Sequence, residues 1–136
     1  MPDIATRTVH CAGGLPAFLA VPATDAKVPA VVLMHERYGL VRHTRDLAER
    51  FARDGFVCIA PDFFHKHPDQ AALHRGDVGY EMTDPEAVAY LEAAIAEIVA
   101  LAQVDAARIA VKGVCQTGRH PLVLAAQRPI AAALVW

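Results

Sequence analysis

The sequence is short of several things, and each shortage closes off a class of function. Only three cysteines occur in 136 residues: Cys11, Cys58 and Cys115. They are too few and too scattered for a disulfide framework or a zinc site, and a reducing, cytoplasmic setting is expected. There is no basic surplus, since 13 lysines and arginines face 15 acids for a net charge of −2. Without excess cations to neutralise phosphates, nucleic acid is not an expected partner. No apolar run approaches the roughly 20 residues of a spanning helix, so no membrane segment is expected. The opening MPDIATRTVH lacks a charged head followed by an apolar core, so no secretory leader is expected. The last shortage is the most telling. After Cys115 there is no Asp or Glu at all, and the only histidine is His120.

What is present is a globular composition. Apolar residues make up 54% of the chain and charged residues 21%, which excludes disorder and is enough for one core without metal or disulfide staples. Glycine and proline punctuate the chain. Residues 4–10 and 15–21, separated by Gly13-Gly14, read as an antiparallel hairpin. The runs 30–35 (AVVLMH) and 56–60 (FVCIA) are continuous and apolar, the pattern of strands buried on both faces. Between them, Leu47 and Phe51 mark one side of a helix over 44–54 that stops at Gly55. Residues 61–83 form a long polar excursion, closed by Asp84-Pro85-Glu86, a helix start. Val88, Leu91, Ile95, Ile98 and Ala102 then repeat at helical spacing over 85–102. Strands are expected over 108–114 and 130–136, with a helix over 116–127 between them. The order β-β-β-α-β-α-β-α-β predicts an α/β fold: a mostly parallel sheet with an antiparallel amino-terminal hairpin and helices on both faces.

In such sheets the chemistry gathers at the carboxyl ends of the strands. One junction there is Val111-Lys112-Gly113-Val114-Cys115-Gln116-Thr117-Gly118. A cysteine at a sharp strand-to-helix turn is lifted out of the sheet, and the positive end of the helix favours its thiolate. The same residue would be unremarkable as a buried structural thiol, the reading preferred for Cys58 and Cys11. A second junction, His35-Glu36-Arg37-Tyr38-Gly39-Leu40, follows the first buried strand, where such folds place an oxyanion donor. Glu36 is a candidate base or thiol partner there, or else a surface carboxylate paired with Arg37 or Arg42. His35-Glu36 does not open a zinc H-E-x-x-H motif, because position 39 is glycine. The pair His65-x-His67 has no cysteine to join it, and no metal site or cofactor is expected.

With both junctions in hand, the chain resembles the dienelactone hydrolase family of the α/β-hydrolase superfamily. The resemblance rests on residues 31–40 (VVLMHERYGL), residues 48–62 with the run D-G-F-V-C-I-A-P-D, and the Gly113-Val114-Cys115 turn. It implies the amino-terminal part of an α/β-hydrolase fold, with residues 1–136 as one partial domain. By that resemblance Cys115 attacks an ester or lactone carbonyl, and Glu36 holds or deprotonates the thiol. The backbone N–H groups of Arg37 and Gln116 form the oxyanion hole. Arg75, Tyr38 and His120 are weaker candidates for contacting substrate.

Three departures from the family pattern stand out. Thr117 occupies a position where the family has glycine, which predicts a looser or shifted turn. Pro121 falls inside the expected helix 116–127, at a cost of about 3 kcal/mol unless the helix kinks or begins later. The family's acid and histidine should follow the nucleophile, yet no acid follows Cys115. Three expectations arise. The chain is a hydrolase half whose acid and histidine come from a second polypeptide, which also covers the apolar edge strand 130–136. Alternatively, it is a family member without turnover that acts as a binding module. Or Cys115 is a reactive thiol used without a triad.

Overall fold

In the computed structural model, which describes residues 3–136, the expected hairpin is strand β1 (Ile4–Cys11) paired antiparallel with β2 (Leu15–Pro22). Gly13 and Gly14 turn between them at φ of 79° and 78°, a region open to glycine without steric cost. The expected domain begins at residue 1, and its first two positions lie outside the described residues.

The apolar runs become β3 (Val28–Leu33) and, after helix α1 (Arg42–Arg53), β4 (Val57–Pro61). Their continuous apolarity has a direct cause, because both faces are covered. On β3, Ala30 and Val32 enter one core, while Val31 and Leu33 enter the other. The first core also takes Leu91, Ala94, Ile95 and Ile98, and the second takes Ala48 and Ala52 of α1. β3 stops at Leu33, two residues before the apolar run ends. Met34 keeps one backbone bond, its N–H donating to the Lys112 carbonyl at 2.8 Å.

The polar excursion is less irregular than its sequence suggests. It contains a short helix, α2 (Gln70–Arg75), whose cap is Asp69 accepting the Ala72 N–H at 3.0 Å. His67 Nδ1 accepts the Asp69 N–H at 3.1 Å, and His65 Nδ1 lies 2.9 Å from the Asp62 carbonyl oxygen. These loop histidines tie backbone. Among the described residues, no group of three or more His, Cys, Asp or Glu is placed to hold a metal ion.

Helix α3 (Asp84–Val99) begins one residue earlier than expected. Thr83 is its cap, accepting the Glu86 N–H at 3.3 Å, and Asp84 is left to make other contacts. β5 (Val104–Gly113) follows, then a single 3-10 turn at Cys115–Thr117, helix α4 (His120–Ala125) and β6 (Ala132–Val135). The expected helix 116–127 therefore begins later, which places Pro121 in the first turn of α4, where its missing N–H costs nothing.

The six strands run in the order β1-β2-β4-β3-β5-β6. β3 lies parallel to β4 and β5, β5 lies parallel to β6, and only the hairpin side is antiparallel. This is the expected α/β architecture with helices on both faces. The carboxyl ends of β3 and β5 lie side by side, with Leu33 paired to Lys112. β6 is an edge strand, with Leu134, Val135 and the 80%-exposed Trp136 uncovered. Among the described residues, no helix is long and apolar enough to cross a membrane.

Candidate active site

At the end of β5 the backbone turns sharply. Cys115 sits on that turn with φ of 52°, the one non-glycine residue at positive φ among those described. Such a conformation costs roughly 1–2 kcal/mol for an L-residue and persists only where the surroundings impose it. Its side chain is exposed, whereas Cys11 and Cys58 are buried. Burial pushes the Cys11 thiol up to about 11, with a smaller push from Glu97. The Cys58 thiol is pushed far above the ordinary range by burial alone. Two of the three thiols are thus held in their inert form, and one faces solvent at a strained turn.

Local contacts impose the strain. The Cys115 N–H donates to the Trp136 carbonyl at 2.7 Å, and the Trp136 N–H to Gly113 at 3.2 Å, so β6 holds the turn from one side. Thr117 holds it from within. Its hydroxyl oxygen accepts the Val114 N–H at 3.0 Å and lies 3.1 Å from the His35 carbonyl oxygen and 2.9 Å from that of Val114. Thr117 therefore tightens the turn that it was expected to loosen, because its hydroxyl supplies bonds that glycine could not. Thr117→Val keeps the shape and removes the hydroxyl. The loss should lower stability by about 1–3 kcal/mol, read as a lower urea midpoint with an unchanged slope.

The other junction is organised by His35, which is fully buried. Its Nδ1 lies 2.7 Å from the Glu36 carbonyl oxygen, and its Nε2 accepts the Phe63 N–H at 3.1 Å. The ring is therefore neutral with the proton on Nδ1, packed edge-on against Phe63 and Phe64. Burial pushes its pKa down, against the pull of the Glu36 carbonyl and Asp62. His120 is likewise buried and pushed down, first by burial and then by Arg119, against Asp84. The folded chain takes up these protons less readily than the unfolded one. Stability is then fully present above the unfolded value of about 6.5 and falls as pH drops below it. Urea midpoints at pH 7.5, 6.5 and 5.5 should decline in that order. A flat profile would contradict the buried neutral state of both rings.

The remaining expected residues take these positions. Glu36 is half-buried on the wall of a cavity of about 200 Å³, shared with His43, Thr44, Lys112 and Trp136. It is not the partner of its neighbouring arginines: Arg42 lies 3.7 Å from Asp46, and Arg37 Nη2 donates to the Gly76 carbonyl at 3.0 Å. Arg37 also lies over the Tyr38 ring, 5.4 Å from its centroid. Among the described residues, the backbone N–H groups of Arg37 and Gln116 have no acceptor. Arg75 is engaged with Asp77 at 2.9 Å on the surface. His120 turns Nδ1 to within 3.3 Å of Asp84, without hydrogen-bond alignment. A shallow recess of about 470 Å³ adjoins the turn, lined by Gly79, Tyr80, Glu81 and Gln116.

Three contributors escape sequence reasoning. Lys112 is only 8% exposed, its amine 4.7 Å from the centre of the Trp136 ring. Burial lowers its pKa and Glu36 opposes that. The other two are the His35 ring and the Thr117 hydroxyl. A lone lysine in a strand pattern was the available signal for the first, and the others act through carbonyl and N–H groups that no pattern displays.

The sequence profile of the dienelactone hydrolase family matches residues 15–136. The chain belongs to the dienelactone hydrolase family. A relative from Salmonella typhi, named as a carboxymethylenebutenolidase, is 31% identical over 130 residues, covering 90% of this chain and 47% of the relative. One of the same name from Methylorubrum extorquens is 28% identical over 130 residues, covering 91% and 45%. A Bradyrhizobium protein named as a 2-oxo-3-(5-oxofuran-2-ylidene)propanoate lactonase is 30% identical over 116 residues, covering 83% and 46%. A crystal structure described as a dienelactone hydrolase from Klebsiella pneumoniae superposes with a TM-score of 0.80 at 27% identity, over 98% of this chain and 60% of that one. The chain spans about half the length of the curated relatives it matches. It carries the α/β-hydrolase fold of these family members.

Proposed function

We propose that this chain is the nucleophile-bearing part of a carboxylic-ester or lactone hydrolase, with Cys115 as the nucleophile. The observation that carries the reading is the exposed Cys115 at φ of 52°, one residue beyond the end of β5 and first in the 3-10 turn. In this reading the thiolate attacks the carbonyl carbon of an ester or lactone. The resulting oxyanion rests on the backbone N–H groups of Arg37 and Gln116, and collapse expels the alcohol and leaves a thioester. Water then attacks the thioester, releasing acid and restoring the thiol. Glu36 holds or receives the thiol proton. Tyr38 and Arg75 are the candidate substrate contacts in this reading. Localisation in a reducing compartment keeps the thiol usable.

The acid and histidine that follow the nucleophile in this fold come from outside these 136 residues. The sequence offers no acid after Cys115, and the one histidine that follows it, His120, is buried against Asp84. A second polypeptide that pairs with β6 would supply them and cover Leu134 and Val135. Co-purification from the native source would recover such a subunit. Without those groups deacylation is slow. Mixed with p-nitrophenyl acetate, the chain should release about one equivalent of p-nitrophenolate per chain in a burst and then stall. Sustained turnover by the chain alone would sink this version.

A second reading is a family member without turnover that acts as a binding module. The same burial of His120 favours it. Absence of any Cys115-dependent burst would select it.

A further inference from the structure

Between α2 and α3 runs a segment, residues 76–83, with no helix or strand of its own. It passes over the carboxyl ends of the strands and forms the wall of the recess beside Cys115 through Gly79, Tyr80 and Glu81. Such a stretch needs outside contacts to stay in place. Arg37 Nη2 donates to the Gly76 carbonyl at 3.0 Å, and the Tyr38 ring presses against Gly76, where an added Cβ would come within 2.9 Å of it. Gln116 Nε2 donates to the Tyr80 carbonyl. Further along, the Tyr80 hydroxyl donates to Glu86 at 2.6 Å, and Arg119 reaches the Met82 carbonyl at 3.4 Å and Asp84 at 3.0 Å.

The pattern lies in which residues do the holding. The two side chains that grip residues 76–80 belong to the same two residues that the nucleophile reading makes the oxyanion donors, and the backbone N–H of each has no acceptor among the described residues. Each of these residues sits in an irregular turn, and each is pinned across the site through its side chain. The two grips share one strap, so the β3 and β5 junctions are braced against each other through it.

We infer that the side chains of Arg37 and Gln116 are positioning groups, fixing their own backbone N–H groups for the carbonyl oxygen by clamping the 76–83 strap. The inference rests on the nucleophile reading above and adds the means by which the oxyanion site is held. A donor misplaced by about 1 Å forfeits much of its effect on rate. The clamps therefore bear on reactions that develop an oxyanion. They leave untouched a thiol reaction that develops none.

Gln116→Met keeps the side-chain length and the backbone N–H and removes only the grip. Arg37→Met likewise keeps the backbone N–H and removes the grip at the other end, and serves should the first variant fold poorly. In each, acetylation of Cys115 by p-nitrophenyl acetate is expected to slow by about 10- to 100-fold. Alkylation of the same thiol by iodoacetamide, which passes through no oxyanion, should stay within about twofold. Amide hydrogen exchange over residues 77–82 should quicken. Equal losses in both thiol reactions, or unchanged acetylation, would overturn the inference. A wild-type chain that alkylates but never acetylates instead removes the nucleophile reading. The exchange measurement then decides the clamp, with unchanged exchange in both variants overturning it.

Discussion

Cys115→Ala should abolish the acylation burst, leaving no thioester detectable by mass at any ester concentration. Only the background hydrolysis of p-nitrophenyl acetate should remain, a fall of about 1,000-fold or more in the rate of acyl transfer. The reason is covalent. Loss of the sulfur removes the atom that forms the intermediate, and Cys11 and Cys58, both buried with raised pKa values, cannot replace it. The substitution is mild for the fold, because alanine and cysteine carry the same Cβ at φ of 52° and the sulfur makes no packing contact in a core. An unchanged urea midpoint with a vanished burst is the expected pair of results. A burst that survives in the variant would move the chemistry to another residue.

The second large effect concerns Gly113. A Cβ there would lie 2.4 Å from the Thr117 carbonyl oxygen, 2.9 Å from Pro121 Cδ and 3.0 Å from Gly118 Cα. Two of those atoms are backbone and the third is a proline ring, so no rotamer change relieves the clash. The turn must open instead. Overpacking of this kind typically costs about 1–3 kcal/mol, and the rigidity of these neighbours places Gly113→Ala at the upper end. Opening the turn also breaks the Thr117 bonds and moves Cys115. Stability and burst rate should therefore fall together in Gly113→Ala, whereas only the burst falls in Cys115→Ala. A midpoint equal to wild type would mean that the turn is looser than these distances require.

Much of the architecture was legible in the sequence because burial writes itself into pattern. The continuous runs of β3 and β4 announced strands covered on both faces, and the spacing of Leu91, Ile95 and Ile98 announced α3. The boundaries were less legible where side chains and backbone trade bonds. α2 was hidden because its six residues bury only Ala72 and Leu73, too few to show a period. The α3 cap moved from Asp84 to Thr83 because Asp84 is taken by Arg119 at 3.0 Å, a contact 35 residues away in sequence. The delayed start of α4 was signalled by Pro121, which fits a first turn and not a helix interior. At the candidate site, the sequence picked out Cys115, Glu36, Arg37 and Gln116 as positions but not what holds them. His35 acts through two backbone groups, and Thr117 through three. Such bonds depend on register between β3 and β5, which no local spacing encodes.

The chain has one tryptophan, Trp136, and its backbone is bonded on both sides to the cysteine turn, to Cys115 at 2.7 Å and to Gly113 at 3.2 Å. Its ring stands 4.7 Å from the Lys112 amine and is 80% exposed. A single indole so placed is a built-in fluorophore. Its emission has one source, and a nearby ammonium and water both tune it. Docking of another chain along β6 would dry the ring and shift its emission to shorter wavelength. Movement of the turn during acylation would alter the distance to the ammonium, and with it the intensity. The two events can be followed separately, in an unlabelled protein, in real time.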